Sequence, residues 1–358
     1  MPLRGNDIGI VTLQTLRGHG QRLQNYATTL VCRSEGYEAH NLILEEDTAA
    51  RVINSAKELI KRAIKYQNVE YSPERTAAFE RFNNLMSFRK TRWREASSVA
   101  SEFDWIITGS DQVWNPAWLD RKHAEWYFLK FANSCQRIAL APSIGLNSLD
   151  EQQSAFLRSG VEGFERLSVR EKRGAELIKE VSDRDAVVLP DPTLVVFTED
   201  WLQVADYSLV PSTPYTLAYV LGDIGDEYRR AINTVASAFG DLPVITLSDK
   251  SRSGEPPAGP SEFIGLIRNA TNVVTDSFHA AVFSMLMNTP LIIIKRDDRN
   301  PGMFSRLESL ADTYGLRKNI YGDNSFDIRL AGDYSYASTV IPVERNRFLN
   351  YFRGCLHD

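Results

Sequence analysis

Short runs of β-branched and aliphatic residues alternate with longer amphipathic stretches along most of this chain. Residues 7–13, Asp-Ile-Gly-Ile-Val-Thr-Leu, open the series as a buried parallel strand. A turn at Arg17-Gly18-His19-Gly20 leads into a helix over residues 21–33, with Leu23, Tyr26, Ala27 and Leu30 on one face. Gly36 supplies the stop, and residues 38–44 read as the next strand. Residues 45–98 carry many charges and few β-branched clusters, and read as helical. Strands follow at 104–108, 137–141, 167–170 and 186–189, with helices over 149–164 and 171–181. The second half repeats the pattern. Strands are predicted at 215–220, 243–247, 272–275 and 291–295, and helices at 227–238, 261–269 and 277–288. Residues 251–260, rich in Gly, Pro and Ser, read as a mobile loop, and 341–354 as a last helix.

This alternation predicts an α/β protein with parallel sheets covered by helices on both faces. A length of 358 residues suits about two domains. The boundary is expected between 190 and 214, where Pro192, Pro211 and Pro214 punctuate the chain. The expected division is 1–200 and 201–340, with a terminal helix within 341–358 packing back on the first unit.

Composition narrows the function classes. An apolar fraction of 43% and a charged fraction of 24% allow a core without metal or disulfide staples. The net charge of −5 argues against a broad phosphate-binding footprint, so no nucleic-acid partner is expected. The three cysteines, Cys32, Cys135 and Cys355, form no Cys-x-x-Cys pair and favour free thiols in a reducing compartment. The N-terminal residues do not read as a signal peptide, and apolar runs such as 291–294 fall far short of the roughly 20 residues of a span. A cytoplasmic protein is expected, touching the inner face of a membrane only through its substrate.

In open parallel sheets, ligands bind beyond the carboxyl ends of the strands, so the residues after each strand are the candidates. Thr275-Asp276-Ser277-Phe278-His279 is one such turn. Asp276 or Ser277 can cap the following helix. His279 then sits in its first turn, where free N–H groups and the helix dipole favour an anion and a neutral imidazole able to take a proton. A packing role for this His is the competing reading. Gly109-Ser110-Asp111-Gln112-Val113-Trp114-Asn115-Pro116 is a second. Asp111 could orient a hydroxyl and Trp114 stack on a sugar, against the alternative of an Asx turn with a buried Trp. Gly18-His19-Gly20 could bring backbone amides to a phosphate, although a lone Gly-x-Gly is a weak signal. Arg170 could grip a carboxylate or phosphate, or pair with Glu171 or Asp191. Lys295 and Arg296 add positive charge, with Arg306 a weaker candidate. The five histidines are scattered and no metal-ligand spacing occurs; no Gly-x-Ser-x-Gly elbow or Walker A loop is present.

Taken in order, these segments resemble the polysaccharide pyruvyl transferase family. The likeness runs through Leu23-Gln24-Asn25-Tyr26-Ala27, the 109–116 loop, Tyr127-Phe128-Leu129, Ala141-Pro142-Ser143, Ser168-Val169-Arg170-Glu171, Asp191-Pro192-Thr193-Leu194 and the 275–279 turn. The family often has Asn-Tyr-Gly where this chain has Gly18-His19-Gly20, and Gly-Thr where it has Ala280-Ala281. The resemblance implies two Rossmann-like domains facing a cleft, as in GT-B glycosyltransferases, with the acceptor on the first domain and the donor on the second. It implies phosphoenolpyruvate as donor substrate, a saccharide, often lipid-linked, as acceptor, and a pyruvate ketal as product in cell-surface or exopolysaccharide biosynthesis. No further cofactor and no metal are implied. Expected roles are proton transfer for His279 and hydroxyl orientation for Asp111. Arg170, Lys295, Arg296, Ser277, Gly18, His19, Gly20, Ser110, Gln112 and Trp114 are expected to bind substrate. Two rivals are a nucleotide-sugar glycosyltransferase on the same fold and a non-catalytic carbohydrate-binding protein.

Overall fold

The computed structural model describes residues 6–13, 18–45, 71–222, 225–250, 252–295 and 304–357. The first sheet holds β1 Asp7–Val11, β2 Glu38–Glu45, β3 Ser87–Arg92, β4 Trp105–Gly109 and β5 Arg137–Leu140, all parallel in the order β3-β2-β1-β4-β5. β6 Ser168–Val169 and β7 Val187–Val188 pair separately. The second sheet is again parallel, with β8 Thr216–Tyr219, β9 Val244–Leu247, β10 Asn272–Thr275 and β11 Leu291–Ile293 in the order β11-β10-β8-β9. The helices are α1 His19–Ser34, α2 Pro73–Asn83, α3 Ala96–Ala100, α4 Arg121–Tyr127, α5 Glu151–Val161, α6 Lys172–Ser182, α7 Pro192–Val195, α8 Thr198–Gln203, α9 Asp226–Ala238, α10 Pro260–Asn269, α11 Phe278–Leu286, α12 Ser305–Tyr314 and α13 Ser335–His357. None of these is long and apolar enough to cross a membrane.

One expectation is corrected at β3. Residues 45–98 read as helical, yet Ser87–Arg92 is a strand running parallel to β2; residues 46–70 lie outside the described set. Its charges are those of an edge strand with one solvated side. Arg89 pairs with Glu102 and Arg92 with Glu45 (2.6 and 3.5 Å). A charge-rich strand of this kind lacks the apolar alternation that marks a strand with a buried face. The predicted strands at 167–170 and 186–189 shrink to two-residue ladders. Between β5 and β6 a side chain replaces the ladder: Ser168 Oγ donates to Ala139 O and accepts from Ala141 N (2.6 and 2.9 Å).

One apolar cluster contains buried residues of both large sheets, including Ile8 and Ile10 of β1 with Leu217 of β8 and Val273 of β10. The final helix begins earlier than predicted and joins this cluster through Phe348, Phe352 and Leu356. It also reaches the first half by polar contacts. Arg345 Nε donates to Val195 O (2.6 Å), and Arg353 grips Glu35 with two bonds (2.7 and 2.8 Å). Cys32, Cys135 and Cys355 are free thiols.

Candidate active site

The site is built on the turn after β10. Thr275 Oγ1 donates to Tyr219 O (2.6 Å) and accepts from Ser277 N (3.0 Å), which ties the turn to the end of β8. Asp276 accepts the backbone N–H groups of Leu221 and Gly222 (2.8 and 2.9 Å) and so shapes the loop after β8. Ser277, not Asp276, is therefore the helix cap, its Oγ accepting from Ala280 N at 3.4 Å.

His279 lies buried in the first turn of α11. Its Nε2 stands 3.7 Å from Asp191 Oδ2, too far for a hydrogen bond, and has no partner at bonding distance. A buried carboxylate, Asp191, thus faces this imidazole beside the helix N-terminus. The other edge of the ring rests on Gly20, where a Cβ would fall 2.2 Å from Nδ1. Gly20 is thus a close-approach glycine, and it also lines the cavity described below. Gly20→Ala is expected to push the imidazole aside. A displacement of about 1 Å is enough to lower kcat roughly 100-fold, and overpacking costs about 1–3 kcal/mol. Steady-state kinetics beside a thermal melt would separate the two effects.

Asp191, beyond β7 and capping α7, is the electrostatic centre beside His279. Its Oδ2 accepts from Ser110 Oγ (2.5 Å) and from Arg170 Nη1 (2.6 Å), while Oδ1 accepts from the N and Oγ1 of Thr193 (3.0 and 2.7 Å). Burial by itself would raise the Asp191 pKa. The His279 imidazole, the Arg170 guanidinium and the Ser110 hydroxyl outweigh it and hold the carboxyl well below the usual range. Arg170 is accordingly no free cation: its side chain is buried, paired with Asp191, and stacked 4.6 Å from the centroid of Phe278. Glu171 is not its hydrogen-bonding partner, since Glu171 Oε1 takes Ser143 Oγ, Ile144 N and Gly145 N (3.1, 2.8 and 3.0 Å).

The loop after β4 divides into two parts. Asp111 adopts a left-handed backbone (φ 73°), which Asp tolerates better than most residues, and its Oδ1 accepts from Gln112 N at 2.9 Å. Asp111 and Gln112 both reach the cavity described below. Ser110 and Trp114 do not. Ser110 is spent on Asp191, and Trp114 is fully buried, stacked 5.1 Å from Phe128 with Nε1 donating to Tyr127 O (3.3 Å). The sugar-stacking expectation for Trp114 is therefore corrected: its ring fills core space.

His19 is corrected in the same way. It is fully buried, with rings of Phe79 and Phe263 each 5.1 Å away. Its Nδ1 bonds Asp249 Oδ1 (2.8 Å) and its Nε2 bonds Ala258 O (3.0 Å), so it joins α1 to the segment after β9. Gly18 precedes it with an ordinary extended φ of −97°. Tyr219 Oη donates to the same Asp249 oxygen (2.6 Å). Burial and the neighbouring carboxylate push the Tyr219 phenol well above its ordinary range, so it remains a donor.

These elements enclose a cavity of about 170 Å³. Asp111 and Gln112 line it from the loop after β4, Tyr219 from β8, Asp249 from the segment after β9, Ser277 and His279 from the β10 turn, and Arg306 from α12. A second cavity of about 150 Å³, bordered by Arg170, Asp191 and Tyr314, shares Phe278 and Arg306 with the first. Lys295 is exposed, its Nζ 5.7 Å from the ring centroid of Phe304, itself a lining residue. Arg296 and Arg17 lie outside the described residues. No cluster of metal-ligating side chains occurs among the described residues.

Sequence reasoning passed over Asp191, Asp249 and Tyr219 as site residues. Each follows or ends a parallel strand, so the strand-end rule alone contained the signal. Their neighbours, Pro190 and Pro192 around Asp191 and the Gly- and Pro-rich loop after Asp249, read as turns instead.

A site walled by the carboxyl ends of two parallel sheets defines a GT-B-like α/β protein. A putative UDP-N-acetylglucosamine 2-epimerase from Listeria monocytogenes shares this fold at 12% identity and a TM-score of 0.51, over 98% of this chain and 96% of that one. A UDP-GlcNAc 2-epimerase from Methanocaldococcus jannaschii aligns at 15% identity and a TM-score of 0.45, over 95% and 94%. The Arabidopsis thaliana UGT89C1 complexed with UDP-L-rhamnose aligns at 9% identity and 0.49, over 99% and 100%. The chain belongs to the polysaccharide pyruvyl transferase family, whose model matches residues 8–298. No curated protein matches the sequence.

Proposed function

We propose that this chain moves the pyruvyl group of phosphoenolpyruvate onto a saccharide as a ketal. One sugar hydroxyl adds to the enol carbon while a proton reaches the methylene, which becomes a methyl group. A second hydroxyl of the same sugar then displaces the phosphate from that carbon, and its proton leaves with the phosphate. The observation that carries the reading is His279, a buried imidazole with Nε2 unbonded, set on the cavity wall in the first turn of α11 and backed by Asp191. In this reading His279 delivers the proton to the methylene or to the departing phosphate. The first N–H groups of α11 and Arg306 face the donor's two anions, and Lys295 adds charge at the Phe304 edge. Arg170 acts through Asp191 rather than by gripping the donor. Asp111 orients an acceptor hydroxyl. A lipid-linked acceptor would bring the protein to the inner membrane face without a spanning helix.

The experiment is phosphate release from phosphoenolpyruvate against a panel of synthetic glycosides and lipid-linked saccharides, with mass spectrometry of the products. Phosphate and a pyruvylated glycoside in equal amounts are expected. Nucleoside diphosphate released from a nucleotide sugar, with none of the panel consuming phosphoenolpyruvate, would replace this reading by the glycosyltransferase one.

A further inference from the structure

Three carboxylates line the cavity, and they are not equivalent. Asp276 has both oxygens committed to backbone N–H groups of the loop after β8. Asp111 bonds its own next residue, Gln112. Asp249 concentrates its bonds on one oxygen. Oδ1 accepts from His19 N (3.2 Å), His19 Nδ1 (2.8 Å) and Tyr219 Oη (2.6 Å), and no donor among the described residues reaches Oδ2. The side chain is 36% exposed although its two partners are buried.

A glycine borders the space beside Oδ2. A Cβ at position 18 would lie 3.4 Å from Asp249 Oδ2 and 3.0 Å from Gln21 Oε1, so any side chain there would begin to fill this corner. The backbone φ of Gly18 is ordinary, so its conformational freedom is not used here. The groups that hold Asp249 are themselves held. His19 is wedged between Phe79 and Phe263 and bonded to Ala258 O, and Tyr219 packs edge-on against both His19 and Phe263 (5.5 and 4.9 Å). A carboxylate locked on one oxygen and open on the other is a preorganised acceptor for a hydroxyl. It is a poor neighbour for a doubly anionic donor, which favours Arg306 and the start of α11 as the donor's contacts.

We propose that Asp249 binds the saccharide acceptor, its Oδ2 receiving a hydroxyl hydrogen bond while His19 and Tyr219 act as positioning residues. The assignment rests on the reading of this cavity as a saccharide-modifying site, but it does not require phosphoenolpyruvate to be the donor. Burial would raise the Asp249 pKa, but bonding to His19 and Tyr219 holds it below the ordinary value, which keeps the carboxylate an acceptor at neutral pH.

The test is saturation-transfer NMR of the full chain with a panel of p-nitrophenyl glycosides, without phosphoenolpyruvate, followed by titration of the one that binds. Asp249→Asn is expected to weaken that glycoside about 10- to 100-fold, as loss of a charge-assisted bond does. Tyr219→Phe, which keeps the ring and loosens the carboxylate, is expected to weaken it about 3- to 10-fold. Calorimetric affinity for phosphoenolpyruvate should stay within about 2-fold in both variants, a split that a merely structural role would not produce. Unchanged glycoside affinity in Asp249→Asn, equal weakening of both ligands, or no glycoside binding by the wild type would overturn the assignment. Should Asp249→Asn not fold, Tyr219→Phe decides by the same criteria. If no acceptor yields phosphate from phosphoenolpyruvate and yet glycoside binding depends on Asp249, the reaction proposed above fails and this assignment stands.

Discussion

His279→Ala is expected to lower kcat by about 10²- to 10⁴-fold, the range for removing a positioned general acid or base. Phosphoenolpyruvate binding should change far less, because the helix N-terminus and Arg306 remain. The imidazole is well placed for such a loss. The residue lines the cavity, its buried Nε2 is unbonded and 3.7 Å from Asp191 Oδ2, and Gly20 closes the Nδ1 edge of the ring. The variant leaves Ser277 capping α11, so the fold should persist. Phosphate release with saturating donor, together with a melting curve, checks this. Near-normal turnover would remove His279 from the chemistry.

The second large effect concerns stability. Asp191→Ala is expected to cost about 3–5 kcal/mol, the penalty for leaving one member of a buried ion pair uncompensated. Among the described residues Arg170 would keep only a long bond to Ser110 Oγ (3.4 Å) and the distant Asp111 carboxylate (3.9 Å from Nη2), and Nε and Nη2 are already unbonded. Ser110 and Thr193 lose their acceptor as well. Urea unfolding measures the loss. In the double variant Asp191→Leu with Arg170→Met, much of the stability should return, since an apolar pair of similar volume needs no compensation. The sign with pH follows from the depressed pKa of Asp191. Its contribution is complete above the ordinary carboxylate value of about 4 and fades as the pH falls toward the native pKa. The gap between wild type and Asp191→Ala should therefore be flat from neutral pH to about 5 and close in acid.

These two residues illustrate what can be read along the chain. The place of His279 in the first turn of α11 was legible because it is set locally. An apolar strand, a capping Ser and a His in the next turn are contiguous, and the dipole of one helix acts within that turn. The alternation of strands and helices was legible for the same reason, since the 2.0 and 3.6 periodicities belong to short segments. The failures share a cause as well. β3 lacks the expected pattern because an edge strand keeps charge in solvent, a property of its place in the sheet. Trp114 sits in a motif suited to sugar stacking, but Phe128 and Phe164 occupy its faces and edge in the core.

The turn at 275–279, the loop at 109–116 and the α/β class were thus present in the order of residues alone, together with the family likeness. What the order could not contain is which side chains meet. Asp191 and His279 are brought together from beyond the ends of separate strands, Ser110 reaches Asp191 across 81 positions, and His19 reaches Asp249 across 230. Those meetings decide between the two readings of Arg170 in favour of pairing with Asp191, and turn His19 from a loop residue into the clamp on Asp249. The physical reason is range. Backbone periodicity and capping act over a few residues. Ion pairing and burial act through space, and only the stacked ends of parallel strands bring these groups within reach.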